Sequence, residues 1–144
     1  MSGKISATAR LASELDRLKA EIVHVGVFDY LGMFRERRLR RAELLAGAET
    51  AVFANVLPKW DAAEQIVFPG PYQSETVAYD PDSLRPYPFE PDAAALVADY
   101  TGPQAAIMPR QVLREQVTKA SRMGFAVEAA FELELIVLDE TADS

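Results

Sequence analysis

One apolar run, residues 125–138, constrains this chain more than any other part of its sequence. It is the most β-prone segment, yet it contains acids, and two of them, Glu132 and Glu134, are only two positions apart. In a strand, residues two positions apart project from the same face, so the two carboxylates would lie together with their Cα atoms about 6.6 Å apart. The opposite face would carry Phe131, Leu133 and Leu135.

Two neighbouring carboxylates on one strand face need a partner, because they repel each other and resist desolvation. Water is one such partner, since alternating acidic and apolar residues are typical of a half-exposed antiparallel strand. A hard divalent cation is the other, because Mg²⁺ prefers carboxylate oxygen and keeps several waters for substrate phosphates. The spacing of Glu132 and Glu134 leaves both interpretations open.

The composition narrows the class of protein. A chain of 144 residues, 49% of them hydrophobic, can form one domain with a packed core and has room for a fragment of a second. Its formal net charge of −7 argues against nucleic acid or an anionic membrane as the main partner. The sequence has no cysteine, which excludes disulfides, thiolate zinc sites and cysteine nucleophiles and fits a reducing compartment.

The sequence also predicts a cytoplasmic location. No apolar run reaches the roughly 18 residues that a membrane-spanning helix needs. The first six residues lack the basic and then apolar pattern of a signal peptide.

Hydrophobic periodicity predicts a chain that mixes helices and strands. Leu11, Leu15 and Leu18 recur at helical spacing, whereas Val23, Val25 and Val27 alternate as in a strand. The predicted elements are helices over residues 7–21, 41–46 and 109–123, the last capped by Gly124, and strands over residues 23–27, 33–39, 51–56, 75–79, 93–99 and 125–138.

Two further features allow more than one interpretation. Five arginines within residues 35–41 form either a solvated strand face or a contact with an acidic surface, such as a neighbouring subunit. The single histidine, His24, lies in an alternating strand, where it is expected to be structural rather than catalytic. No segment matches the glycine-rich phosphate loops of nucleotide-binding proteins.

Six short motifs, in order, resemble those of the glutamine synthetase family. Trp60-Asp61 is similar to a motif of the branch that includes γ-glutamyl-polyamine synthetases. The other five are Val-Phe-Asp-Tyr-Leu-Gly at 27–32, Asp-Pro-Asp-Ser-Leu-Arg-Pro-Tyr-Pro at 80–88, Ala-Leu-Val-Ala-Asp at 95–99, Pro-Arg-Gln-Val-Leu at 109–113 and Phe-Glu-Leu-Glu-Leu at 131–135. The last motif departs from the family in one respect, because Phe131 stands where a glycine usually precedes the first glutamate.

The resemblance implies an α+β fold with two parts. Residues 1–103 would form a β-grasp N-terminal domain, and residues 104–144 would supply the connecting helix and the first strand of a truncated catalytic domain. The activity implied is that of an ATP-dependent ligase that joins ammonia or an amine to the γ-carboxylate of glutamate through an acyl phosphate. In the family, the two signature glutamates, here Glu132 and Glu134, bind Mg²⁺ or Mn²⁺.

The resemblance also implies a site between subunits of a ring-shaped homo-oligomer. In glutamine synthetases proper, a loop of the N-terminal domain supplies an aspartate to this site, and Asn55 is the nearest polar residue in the corresponding region here. Asn55 and Asp61 are therefore the expected substrate-binding residues. The missing aspartate favours an amine over ammonia as the acceptor.

The remaining metal ligands, ATP-binding residues and phosphate-binding arginines of the family would all lie downstream of residue 144. Residues 1–144 alone are therefore expected not to turn over. The alternative is a non-catalytic interaction module, which would use its arginine-rich hairpin to dock on a full-length ligase and modulate it.

Overall fold

The computed structural model describes residues 6–48, 51–63, 65–66 and 70–134 of the chain. The elements in these residues are α1 (Ala7–Leu18), β1 (Ile22–Phe28), β2 (Phe34–Arg40), α2 (Arg41–Gly47), β3 (Val52–Ala54), β4 (Ser74–Tyr79), β5 (Arg85–Pro86), β6 (Ala93–Tyr100) and α3 (Pro109–Arg122). Three short 3₁₀ turns lie at Leu57–Lys59, Pro81–Ser83 and Pro103–Ile107.

The strands form one mixed sheet in the order β2-β1-β6-β4-β3, with β5 paired to β6. At its centre β1 and β6 run parallel, with Ile22 opposite Ala93. The other pairings are antiparallel, and β1 and β2 form a hairpin that pairs Phe28 with Phe34. The prediction of a mixed helix and strand fold is confirmed.

The core lies between α1 and the central strands. Leu11 and Leu15 on α1 are buried in one cluster with the alternating valines of β1. Helix α1 ends at Leu18, three residues earlier than predicted, because Lys19 adopts a left-handed conformation with φ of 55° and its N–H caps the helix. Periodicity therefore located the helix, and a local backbone conformation set its end.

The arginine-rich segment, residues 35–41, mainly contacts other parts of its own chain. Arg35 pairs with Asp29, Arg41 pairs with Asp16, Arg38 pairs with Glu90, and the Arg37 guanidinium lies 4.5 Å from the centre of the Phe53 ring. These contacts occupy four of the five arginines without any neighbouring subunit, because each has an acidic or aromatic partner within the chain.

Helix α3 and the segment after it differ from the rest of the fold. Gly124 takes the predicted left-handed conformation, with φ of 87°, directly after the helix. None of the side chains of α3 is buried. Residues 125–134 form neither helix nor strand, contrary to the predicted strand, because no other strand of the described chain pairs with them. The remainder of that predicted strand, residues 135–138, lies outside the described residues.

The α-helices of the described segments are too short and too polar to cross a lipid bilayer.

Candidate functional site

The first family-like motif is a turn organised by one buried carboxylate. Asp29 Oδ1 accepts hydrogen bonds from the backbone N–H groups of Leu31 and Met33, at 2.9 and 2.8 Å. Gly32 completes the turn with φ of 81°, a left-handed conformation that favours glycine. The sequence prediction of a turn at residues 29–32 is confirmed, and Asp29 is its structural centre.

Arg35 connects this turn to the Trp60-Asp61 motif. Its Nε donates to Asp29 Oδ2 at 2.9 Å, and its guanidinium lies 5.0 Å from the centre of the Trp60 ring. A guanidinium at this distance from an indole face is attracted to it, and desolvation strengthens the contact. Two motifs that lie well apart in the sequence therefore meet around one arginine.

Asp61 holds the loop that follows Trp60. Its Oδ1 accepts hydrogen bonds from the N–H groups of Ala63 and Gln65, both at 2.9 Å, and its own N–H donates to the Gln65 carbonyl. Asp61 is half-exposed at the surface. It therefore has a defined structural role in the loop and remains accessible from one side.

Asn55 lies at the other end of the same segment, but it is buried, with 4% of its surface exposed. Its Nδ2 donates to Glu75 Oε1 at 2.9 Å, and its Oδ1 accepts from the Gln73 N–H at 3.1 Å. The second carboxylate oxygen of Glu75 accepts from the Gln104 N–H at 3.0 Å. The structure thus places Asn55 in a buried polar cluster that ties β3, β4 and the Pro103–Ile107 turn together.

A second polar cluster joins three more motifs at Arg110, the second residue of α3. Arg110 Nε donates to Asp99 Oδ1 at 2.9 Å, and Arg110 Nη2 donates to Asp80 Oδ2 at 3.0 Å. Arg114, one turn further along α3, donates to Asp99 Oδ2 at 2.8 Å. The cluster brings together the start of the Asp80–Pro88 segment, the end of β6 and the start of α3.

Electrostatics favour the ionised form of Asp99 in this cluster. Burial raises the pKa of Asp99, but the hydrogen bonds and positive charges of Arg110 and Arg114 outweigh burial and leave this pKa below its ordinary value. Beside the cluster lies an open cleft of about 660 Å³, lined in part by Asp80, Asp82 and Gln111. The cleft is lined by both polar and apolar residues and lies next to the charged start of α3.

The predicted metal ligands lie apart from both clusters. Glu132 and Glu134 are exposed in the irregular segment after α3, and Phe131 between the helix and these acids is 99% exposed. Carboxylate oxygen suits Mg²⁺, but across residues 6–48, 51–63, 65–66 and 70–134 no group of three or more potential ligands could hold a metal ion. The described residues alone therefore do not fit a divalent metal site.

Comparison with known proteins places these motifs in a family context. The chain matches no protein-family model. It is 24% identical over 142 residues to a glutamate–isopropylamine ligase of a Pseudomonas species, covering 90% of this chain and 31% of that enzyme. This match supports the resemblance of the six motifs to the glutamine synthetase family, in its amine-ligase branch.

Solved structures of GmaS, a γ-glutamylmethylamide synthetase, are similar in fold to this chain. A complex of GmaS with ADP superimposes with a TM-score of 0.62 at 24% identity, covering 78% of this chain and 26% of GmaS. Ligand-free GmaS superimposes with a TM-score of 0.56 at 20% identity, covering 82% and 26%. The chain therefore spans about a third or less of the length of each relative.

The motifs in the described residues fall into two structural groups. One group meets around Arg35 and includes Asp29 and Trp60, and the other meets around Arg110 and includes Asp80 and Asp99. The buried partners Glu75 and Gln104 were not predicted from the sequence. An acid in an alternating strand is typical of an exposed position, so the pattern carried no signal for the burial of Glu75.

Proposed function

We propose that this chain forms part of an ATP-dependent ligase that joins the γ-carboxylate of glutamate to an amine. The observation that carries the proposal is the alignment with a glutamate–isopropylamine ligase over 90% of this chain. The match includes the segments that meet at Arg35 and at Arg110, where sequence motifs become contacts in the fold. ATP, glutamate and an amine are the substrates that this proposal assigns to the whole enzyme.

The proposal assigns residues 1–103 to a β-grasp N-terminal domain. A mixed sheet with a parallel pair at its centre and α1 over its core face supports this assignment. Residues 104–144 would then begin a catalytic domain. The ion pairs of Arg110 with Asp80 and Asp99 would fix the start of that domain against the sheet.

Asn55 and Asp61 would have different roles at a site shared between subunits of a homo-oligomer. Asn55 is buried and both ends of its amide are engaged, so it would shape the wall of the site. Asp61 is half-exposed and would present a carboxylate beside Trp60. A half-exposed carboxylate would attract the positive charge of an alkylammonium substrate.

Glu132 and Glu134 would contribute two carboxylates to a site for Mg²⁺ or Mn²⁺ only if further ligands came from outside the described residues. The metal would screen phosphate charge when bound. We propose on this basis that residues 1–144 do not turn over by themselves, because two exposed carboxylates among the described residues do not complete a metal site.

The test is a phosphate-release assay on two preparations. The first is the native protein that carries this sequence, captured with an antibody to residues 6–48, and the second is the purified 144-residue chain. The native protein should release phosphate with ATP, glutamate and an alkylamine, more slowly with ammonia, and the 144-residue chain should release none. Phosphate release that depends on neither glutamate nor an amine in the native protein would overturn the ligase proposal.

The same capture separates the ligase from the interaction module. An intact mass well above that of 144 residues would support a ligase polypeptide that contains this sequence. A mass equal to the 144-residue chain, with a longer ligase co-purifying, would support the interaction module and contradict the ligase assignment.

A further inference from the structure

The only histidine of the sequence is enclosed by acidic groups on both sides of its ring. His24 lies in the middle of β1 and is 6% exposed. Its Nδ1 lies 2.8 Å from Glu36 Oε1, and its Nε2 lies 2.9 Å from Glu90 Oε2. The Tyr87 ring stacks on the imidazole, with the ring centres 3.9 Å apart and an angle of 11° between the planes.

This geometry requires a charged imidazole when both carboxylates are ionised. A neutral imidazole has one N–H donor and one lone pair, whereas each carboxylate oxygen offers only lone pairs. One of the two short contacts would then set lone pair against lone pair. With protons on both nitrogens, His24 instead donates to Glu36 and to Glu90, and both contacts become charge-assisted hydrogen bonds.

The surrounding charges balance around the imidazolium. Strand β2 supplies Glu36 and also Arg38, which lies opposite His24 in the ladder and donates to Glu90 at 3.1 Å through Nε. On the other side of β1, the residue opposite His24 on β6 is the apolar Ala95. On β5, the Arg85 guanidinium donates to backbone carbonyls at 2.7 and 2.8 Å. Two positive and two negative charges therefore meet at the clamp.

We propose that His24 is an imidazolium clamp that fixes the 87–90 segment over the face of β1 opposite to α1, and that loss of its proton releases this segment. Among the described residues, the hydrogen bonds from the hairpin to the Glu90 carboxylate come from His24 and Arg38. The segment also carries Phe89, which is 84% exposed and packs edge-on against Tyr87 at 5.6 Å.

The flanks of the segment have independent attachments. The Tyr87 N–H donates to the Ala93 carbonyl, and the Asp92 carbonyl accepts from the N–H groups of Glu21 and Ile22. These backbone bonds do not change with pH. Loss of the His24 proton would therefore release only the residues between these backbone hydrogen bonds, which include Phe89 and Glu90, and the ring of Tyr87.

The pH range of the clamp follows from the directions of two pKa shifts. Burial lowers the pKa of His24, but the hydrogen bonds and charges of Glu36 and Glu90 outweigh it and raise this pKa above 6.5. Its stabilising effect is therefore complete below pH 6.5 and is lost as the pH rises through the pKa of the folded state. Hydrogen bonds from Arg38 and His24 lower the pKa of Glu90 to about 2, so its contribution is present above pH 4.5 and is lost towards pH 2.

The test is a pH titration by NMR of the intact 144-residue chain, in which the imidazole signals are unambiguous because His24 is the only histidine. Both ring nitrogens should be protonated at pH 6.5, and the midpoint should lie above 6.5. The Tyr87 ring signals should lose the shift caused by stacking with the same midpoint. A midpoint at or below 6.5, or Tyr87 signals that do not follow His24, would overturn the proposal.

Substitution then identifies the clamp partners. Glu90→Gln should lower the His24 midpoint by about one pH unit or more, because it removes a negative charge within hydrogen-bond distance. Glu43→Gln removes the same charge from an exposed position on α2 and should leave the midpoint unchanged within about 0.2 units. Equal shifts in the two variants would show a general effect of net charge and would contradict the clamp.

Discussion

Replacing Asn55 with aspartate should destabilise this chain strongly and in a pH-dependent manner. The Asn55 Nδ2 atom lies 2.9 Å from Glu75 Oε1, and both residues are more than 90% buried. In the Asn55→Asp variant, two carboxylates would face each other at this distance without water between them. Since like charges in a buried site cannot both ionise, the pair must keep one proton at neutral pH.

The size of the effect follows from the cost of keeping that proton. A carboxyl group with an ordinary pKa near 4 that must stay protonated at pH 7 costs about 1.4 kcal/mol per pH unit over roughly three units, or ~4 kcal/mol. The folded pKa is raised, so the loss of stability grows as the pH rises above about 4. Asn55→Ala removes two hydrogen bonds and should cost about 2 kcal/mol with little dependence on pH.

Urea unfolding monitored by Trp60 fluorescence at pH 4.5 and pH 7 measures these differences. The decisive control is the exchanged pair Asn55→Asp with Glu75→Gln, in which the introduced amide can donate to the introduced carboxylate and still accept from the Gln104 N–H. This double variant should recover most of the stability lost at pH 7. An Asn55→Asp variant that is equally stable relative to the parent at both pH values would refute the reasoning.

Three further predictions concern other parts of the chain. In urea unfolding, Arg110→Ala should lower the free energy of unfolding by about 1–2 kcal/mol, because the side chains of its ion pairs are at most about one-third exposed. Arg10→Ala breaks an exposed ion pair and should lower the free energy of unfolding by less than about 0.5 kcal/mol. Equal losses in the two variants would contradict this reasoning. In thermal unfolding, Gly26→Ala should destabilise the chain by about 1–3 kcal/mol, because the new Cβ would lie 2.5 Å from the Arg35 carbonyl oxygen. Gly47→Ala should be neutral or stabilising, because a Cβ at this position would have no neighbouring atom within 4 Å. Phe131→Ser should reduce self-association in sedimentation velocity, because it removes the most exposed large apolar side chain of the described chain; a parent chain that is already monomeric would contradict this.

The local elements could be predicted because their patterns are short. The spacing of Leu11 and Leu15 and the alternation of the valines in β1 correspond directly to the buried faces of α1 and β1. The turn at Asp29 could also be predicted, since a side chain that caps nearby N–H groups acts within a few residues. In each case the pattern that predicts the structure spans only a few consecutive residues.

The long-range contacts could not be predicted from such patterns. In the parallel pair, β1 and β6 are separated along the sequence by the other four strands, and no local signal specifies that they pair. The predicted strand over residues 51–56 is shorter in the structure, where it covers Val52–Ala54, and the Asn55 side chain just after it is buried against Glu75 of β4. Burial of a polar side chain depends on a distant partner, and a single sequence does not show which partner it has.

The same distinction applies to the family motifs and to the candidate site. Asp80, Asp99 and Arg110 occur in three separate motifs, yet in the structure they form one ion-pair cluster that holds α3 on the sheet. These motifs therefore form contacts between parts of the fold, and a match to them supports a similar fold more strongly than it supports a particular reaction. The proposed metal ligands, Glu132 and Glu134, lie where the described residues supply no third ligand, so the contacts of the fold do not by themselves test that proposal.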